Sequence, residues 1–153
     1  MKASNNFSEV SVVYKRTQVK PKTKITTSAS AYTVLKDLFP RETIEHHEQF
    51  IILLLDRANQ VLGWSKISEG GINGTVVDVR IIFQIALAAH ASSIILAHNH
   101  PSGNCKPSEQ DKAITRKINK AGELLEIAVL DHLILVSESE YYSFSDATVN
   151  SVV

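Results

Sequence analysis

Cysteine is almost missing from this chain: Cys105 stands alone among 153 residues. A single thiol excludes an internal disulfide, so the fold has to rest on an apolar core, and a reducing, cytoplasmic setting is expected. An excess of charge of either sign is missing as well. Sixteen Lys/Arg offset sixteen Asp/Glu, and a net charge of zero removes the global electrostatic footprint of a nucleic-acid binder. No apolar run comes near the roughly 20 residues that cross a bilayer. The first residues, "MKASNNFSEV", lack the apolar stretch of a secretion signal, so membrane association is not expected. Glycine (six) and proline (four) are scarce; with no linker rich in them, no repeat and no low-complexity tract, the chain reads as one unit.

What is present is ordinary for a globular protein: 44% hydrophobic and 21% charged residues, at a length that buries most of its apolar surface in one core. We expect an N-terminal extension over residues 1–24 and a domain over 25–153. Residues 1–44 hold eight Lys/Arg against three Asp/Glu, five of them in "KRTQVKPKTK", residues 15–24. That stretch could touch phosphates; a solvated strand edge kept soluble by lysines is the simpler reading.

The β-branched "EVSVVYKRTQV" suits an edge strand. "SASAYTVLKDLFP" is expected to be helical, capped by Ser28 or Ser30 and stopped by Pro40. "EQFIILLLD" is nearly continuous in apolar residues, as in a central strand covered on both faces, and "DRAN" can turn it into a hairpin with "QVLGWSKIS". "EGGING" reads as a glycine-rich turn. "VRIIFQIALAAHA" places Ile81/Ile82, Ile85, Leu87 and Ala88/Ala89 in a helical pattern, with small alanines that allow close packing on a sheet. "SSIILAH" reads as a buried strand, and "SEQDKAITRKINKAGELL" as a helix with Ile114, Ile118 and Ala121 inward. "EIAVLDHLILVS" gives one more strand or a pair, and "YYSFSD" a terminal turn. Strands and helices in this order predict an α/β sandwich, one mixed sheet between helices.

The chemistry concentrates in "ILAHNHPSGNCKPSEQD", Ile95–Asp111. If the strand stays extended through Asn99, His98 and His100 project from the same side of its C-terminal end. Two imidazoles with a carboxylate as third ligand suit zinc, and Asp111, in the first turn of the following helix, is the nearest candidate. Pro101, Gly103 and Pro107 can turn the chain back to bring it there. The same letters have a plainer reading, in which Ser108 caps the helix, Asp111 suits its dipole, and the histidines are surface residues at a strand end.

The spaced pattern His-x-His, seven residues, Ser-x-x-Asp resembles the core of the JAB/JAMM metalloprotease motif. Its flanks "IILAHNHPSG" and "LDHLILV" are similar to the JAB domain of RadC-like proteins, over roughly Ile25 to Asp146. The resemblance implies a cytidine-deaminase-like α/β/α sandwich and one Zn²⁺ per chain held by His98, His100 and Asp111. It also implies that Glu48 acts as general acid/base through the zinc-bound water and that Ser108 donates to the tetrahedral oxyanion. Hydrolysis of a peptide or isopeptide bond in a peptide or protein substrate follows from it. The helix-hairpin-helix region often found in RadC-like proteins has no match in residues 1–44. A second reading is a DNA-associated accessory protein of the RadC type with a vestigial zinc site. A zinc nucleobase deaminase lacks support, because the H-x-E and P-C-x-x-C signature is absent. Oligomeric state is not fixed by the sequence, and a dimer is compatible with it.

Other residues carry plainer expectations. Glu42 and Glu45 are alternatives to Glu48; His46 and His47 read as exposed loop residues; His90 sits near a helix C-terminus, where it suits the dipole; His132 flanks a strand. Cys105 reads as a tolerated loop residue, and Arg80 can pair with a carboxylate near the site.

Overall fold

In a computed structural model of the chain, the run "QFIILLL" becomes strand β1 (Gln49–Leu55), with every residue buried. Its side chains alternate between two cores: Phe50, Ile52 and Leu54 enter one, and Ile51, Leu53 and Leu55 the other. A strand that feeds two cores has no solvent face, which is why its sequence is apolar from Phe50 to Leu55 rather than alternating. The structure describes residues 22–70, 76–136 and 140–150 with positions 8, 10, 11, 13 and 15. Most of the expected N-terminal strand, of the basic stretch 15–24 and of the glycine-rich turn lies outside the described residues.

β1 turns back into β2 (Val61–Glu69) as an antiparallel hairpin. Asp56 builds the turn by accepting from the Ala58 and Gln60 N–H groups at 2.9 Å each, while Asn59 takes the left-handed conformation its short polar side chain tolerates, φ 58°. On its other side β1 runs antiparallel to β3 (Ser93–Asn99). β3 is parallel to β4 (Ala128–Leu135), and β5 (Tyr141–Ser143) closes that edge antiparallel. The sheet order is β2-β1-β3-β4-β5. Parallel neighbours need a long crossover, supplied here by α3 (Glu109–Leu125). α3 and α2 (Val79–Ala88) cover the Phe50 face, and α1 (Ser28–Leu35) covers the opposite one. The expected α/β/α arrangement with a mixed sheet is the one observed.

Local details depart from expectation for identifiable reasons. α1 is capped by Thr27, one residue before Ser28: the Thr27 Oγ1 accepts from Ser30 N–H at 3.1 Å, and Ser30 Oγ accepts from Thr27 N–H at 3.0 Å. Ser30 is thus the reciprocal partner and not the cap. In α2 the inward stripe is Ile82, Phe83 and Ala86, whereas Ile81 and Leu87 are 41% and 54% exposed. Phe83 outcompetes Leu87 because Ile82, Phe83, Ala86 and Ala89 form an i, i+1, i+4, i+7 face. "YYSFSD" is not a plain turn: it pairs as β5 and continues as α4 (Phe144–Asn150), with Tyr141 stacked on Tyr32 at 4.5 Å between centroids.

The end of α3 sits close to β4. A Cβ on Gly122 would come within 2.5 Å of the Ile127 carbonyl oxygen, so only glycine lets the helix pass, and the Ile127 N–H bonds back to Gly122 at 2.9 Å. No helix among the described residues is long and apolar enough to cross a membrane.

Candidate metal centre

Pairing with β1 and β4 carries β3 through the core, and the parity that sends Ile94 and Leu96 towards α2 and α3 sends His98 there too. His98 is 1% exposed and lies parallel to the ring of its cross-strand partner Phe50. Beyond Asn99 the β4 ladder continues for one bond, His100 N–H to Leu135 O at 2.9 Å. The chain then turns at Gly103, whose positive φ of 80° suits glycine. Ser108 stops the turn by capping α3: its Oγ accepts from the Asp111 N–H at 3.0 Å, and the Asp111 Oδ2 accepts from the Ser108 N–H and Oγ–H, each at 2.7 Å. The cap does more than start a helix, because it fixes the Asp111 carboxylate against the two histidines.

The donor atoms of His98, His100 and Asp111 lie within 4.8 Å of one another. His98 Nε2 is 2.9 Å from His100 Nε2 and 3.2 Å from Asp111 Oδ1, and His100 Nε2 is 3.3 Å from Asp111 Oδ2. A tetrahedral ion with bonds of about 2.0–2.1 Å spaces its ligand atoms roughly 3.4 Å apart, so a small opening of the set is all that separates these positions from a metal site. The protonation pattern agrees. His100 Nδ1 lies 2.6 Å from the Asn104 carbonyl oxygen; a carbonyl can only accept, so Nδ1 carries the proton and Nε2 is the nitrogen free to ligate. The residues present fit a divalent cation of the zinc type.

Glu48 immediately precedes β1, half-buried, on the wall of a cleft of about 570 Å³ that also includes His98, His100, Ser108 and Asp111. Asn99, the residue between the two histidines, holds it there. The Asn99 Oδ1 accepts from Gln49 N–H at 2.7 Å, and its Nδ2 donates to the Ile44 and His47 carbonyls, each at 2.7 Å. Three bonds from a fully buried amide therefore clamp the backbone on both sides of Glu48.

Burial raises the Glu48 pKa, an effect that the His98 and His100 rings partly offset and the Asp111 charge reinforces. Burial also works to raise that of Asp111, but hydrogen bonds from His100, His98 and Ser108 outweigh it and hold the carboxyl far below its ordinary range. For His100 burial lowers the pKa, yet the Asp111 and Asn104 hydrogen bonds and the Asp111 and Glu48 charges more than reverse that. A proton on His100 therefore competes with metal at higher pH than on an ordinary histidine, near 6.5. Zinc affinity, measured by chelator competition, is expected to fall about tenfold per pH unit once pH drops below that raised pKa; an affinity flat with pH through the neutral range contradicts this.

Comparison with known families places this geometry. The RadC-like JAB domain matches residues 25–149. The chain belongs to that family. It is 46% identical to a UPF0758 protein of Flavobacterium johnsoniae over 123 residues, 80% of this chain and 52% of the relative. A UPF0758 protein of Porphyromonas gingivalis is 41% identical over 122 residues, 80% and 52% of the two chains, and one of Methanosarcina mazei 38% over 126 residues, 82% and 53%. The chain thus spans about half the length of these relatives.

Within this RadC-like domain the remaining residues, His132 apart, are not part of the cluster. His46 and His47 are exposed, as are Glu42 and Glu45. Cys105 lies 3.6 Å from Glu140 Oε1, and burial with that neighbouring carboxylate keeps its thiol protonated. Arg80 pairs with Asp78, the cap of its own helix, at 2.7 Å, and not with a carboxylate of the cleft. His90 is the left-handed residue just past α2, φ 55°. His132 does not flank a strand: it lies within β4, 1% exposed, against the back of His98. Its signal in the sequence was a histidine inside the apolar run "LDHLILV", and Asn99 had none beyond its place between two histidines.

Proposed function

We propose that the chain is a zinc-dependent metallohydrolase of peptidase or isopeptidase type that acts on a peptide or protein substrate in the cytoplasm. The observation that carries this reading is the half-buried Glu48 carboxylate facing the same cleft as a three-donor cluster. Three protein ligands are the number used by catalytic zinc sites, which keep a fourth position open, whereas structural sites are closed by four. Zinc held there supplies Lewis acidity, polarising a carbonyl and making water ionise near neutral pH.

The chain's own groups supply the rest. Glu48, its pKa raised towards the working range, accepts a proton from the attacking water and returns it to the leaving nitrogen. Asn99 keeps that carboxylate in place through the backbone. Ser108 can stabilise the oxyanion only after turning its single hydroxyl proton away from Asp111 Oδ2, where it points in this structure. Phe50, Val77, Ala113 and Ile114 line the apolar side of the cleft and give a substrate side chain a seat from which water is displaced. Zinc-loaded protein is expected to cleave members of a peptide library, to stop on addition of a chelator, and to recover when zinc is returned. Cleavage that a chelator leaves undiminished, or none with zinc bound, contradicts the reading.

A further inference from the structure

A buried chain of hydrogen bonds runs behind the metal cluster. His98 Nδ1 is 2.8 Å from His132 Nε2, His132 Nδ1 is 2.7 Å from Thr115 Oγ1, and Thr115 Oγ1 is 2.6 Å from the Asp111 backbone carbonyl. Phe50 and Phe144 pack against the His132 ring, Phe144 in parallel at 5.0 Å. The direction of every proton in this chain can be deduced. A carbonyl has no hydrogen to give, so Thr115 donates to Asp111 O, and a hydroxyl has one hydrogen only. Thr115 Oγ1 must then accept from His132, which places a proton on His132 Nδ1. Both ring nitrogens of His132 face an imidazole and a hydroxyl rather than a carboxylate, and a charged ring buried without a counter-ion is costly, so the ring is neutral and Nε2 is an acceptor. The proton between the two rings therefore belongs to His98 Nδ1. His98 Nε2, facing His100 and Asp111, is then the nitrogen that can meet an ion.

We propose that His132 and Thr115 are positioning residues of the metal centre: they lock His98 in its Nδ1–H tautomer and aim its Nε2 lone pair at the ion. The inference rests on reading the cluster as a metal centre. The relay starts at one ligand and ends at another, because Thr115 is the i+4 residue of Asp111 on α3. A metal-bound histidine normally gives its second N–H to a carboxylate, a backbone carbonyl or water; here a neutral, fully buried imidazole takes that place, and a threonine sets its tautomer in turn. Loss of the Thr115 acceptor frees the His132 ring to move its proton to Nε2, which forces His98 either to put its own proton on Nε2, the ligating atom, or to break the contact.

The test uses two readouts on the full chain. In metal-free protein, long-range ¹⁵N–¹H correlation spectra of the histidine rings are expected to show Nδ1–H tautomers for both His98 and His132. Thr115→Val, which keeps the shape and removes the acceptor, should abolish that signature at His132, and Thr115→Ser should restore it. Zinc affinity by chelator competition should fall about 10–100-fold in Thr115→Val and in His132→Leu, and stay within about threefold of wild type in Thr115→Ser. Thermal melting identifies a variant that has lost its fold; Thr115→Ser then carries the comparison. An Nε2–H tautomer at either ring of the wild type, or wild-type zinc affinity in folded Thr115→Val, overturns the proposal. Wild-type protein with both expected tautomers and no zinc affinity overturns the metal-centre reading instead, and supports the relay as such.

Discussion

Replacement of Glu48 by Gln is expected to leave zinc content at one ion per chain while lowering kcat for peptide hydrolysis by about 10²–10⁴-fold, the usual worth of a positioned acid/base group. Glutamine is isosteric and is not one of the three clustered donors, so the ligand set is untouched. Asn99 holds the segment through backbone groups of Gln49, Ile44 and His47 and not through the Glu48 side chain, so the loop should keep its path. What disappears is the capacity to carry a proton between water and the leaving nitrogen. The pH dependence separates this from a general loss of structure. Because burial raises the Glu48 pKa, and a general base must be ionised, activity of the wild type should fall as pH drops through that raised value, above the ordinary 4.3 or so of a glutamate. In Glu48→Gln the residual rate should lack that limb. Metal analysis alongside a cleavage assay decides the matter: full hydrolysis by a zinc-loaded Glu48→Gln protein would show that another group takes the proton.

The parts of this architecture that were legible in the sequence are those whose cause is local. "QFIILLL" announces a strand buried on both sides because its six residues from Phe50 to Leu55 must be apolar when neighbours cover both faces, and α3 shows its inward stripe through Ile114, Ile118 and Ala121. The three clustered donors are legible for the same reason: His98, His100 and Asp111 come together through one strand end, one turn and one helix cap. Where the cause is tertiary, the sequence is silent or misleading. β5 exists because Leu133–Leu135 offers it a partner, and the α2 stripe is turned towards Phe83 by the core it meets. Glu48 reaches the cleft through Asn99, whose bond to the adjacent Gln49 spans 50 positions of the chain, and its mark in the sequence is family likeness and not periodicity. His132 and Thr115 lie 34 and 17 residues from their partners His98 and His132. Only the β3–β4 register and the crossover helix bring them together, and no spacing rule marks such a pair.

The second large effect separates two duties of Asp111. Its Oδ2 is the acceptor for Ser108 N–H and Oγ–H and also lies 3.3 Å from His100 Nε2, while Oδ1 faces His98 Nε2 at 3.2 Å. In Asp111→Asn the amide has one oxygen to offer, and the two Ser108 donors need it; the NH₂ group then takes the Oδ1 place facing His98. Two N–H donors beside bare imidazole nitrogens satisfy those lone pairs and take the place of a cation, so zinc affinity is expected to fall more than about 100-fold, beyond the loss typical of an outer residue. Asp111→Ala should lose the metal equally, and in addition strand the Ser108 donors at the start of α3, a cost of about 1 kcal/mol beyond Asp111→Asn. Both variants also lose the favourable meeting of an ionised carboxylate with His98 and His100. Since the folded pKa of Asp111 lies below the unfolded value of about 3.9, that contribution is present above the unfolded pKa and is lost as pH falls, so wild type and variants should converge in stability towards strongly acidic pH. Zinc stoichiometry and denaturant unfolding in the presence of chelator read the two duties separately. An Asp111→Asn protein that binds zinc as wild type does would remove Asp111 from the ligand set, and equal stability of the two variants would show that its carboxylate does not sustain the cap.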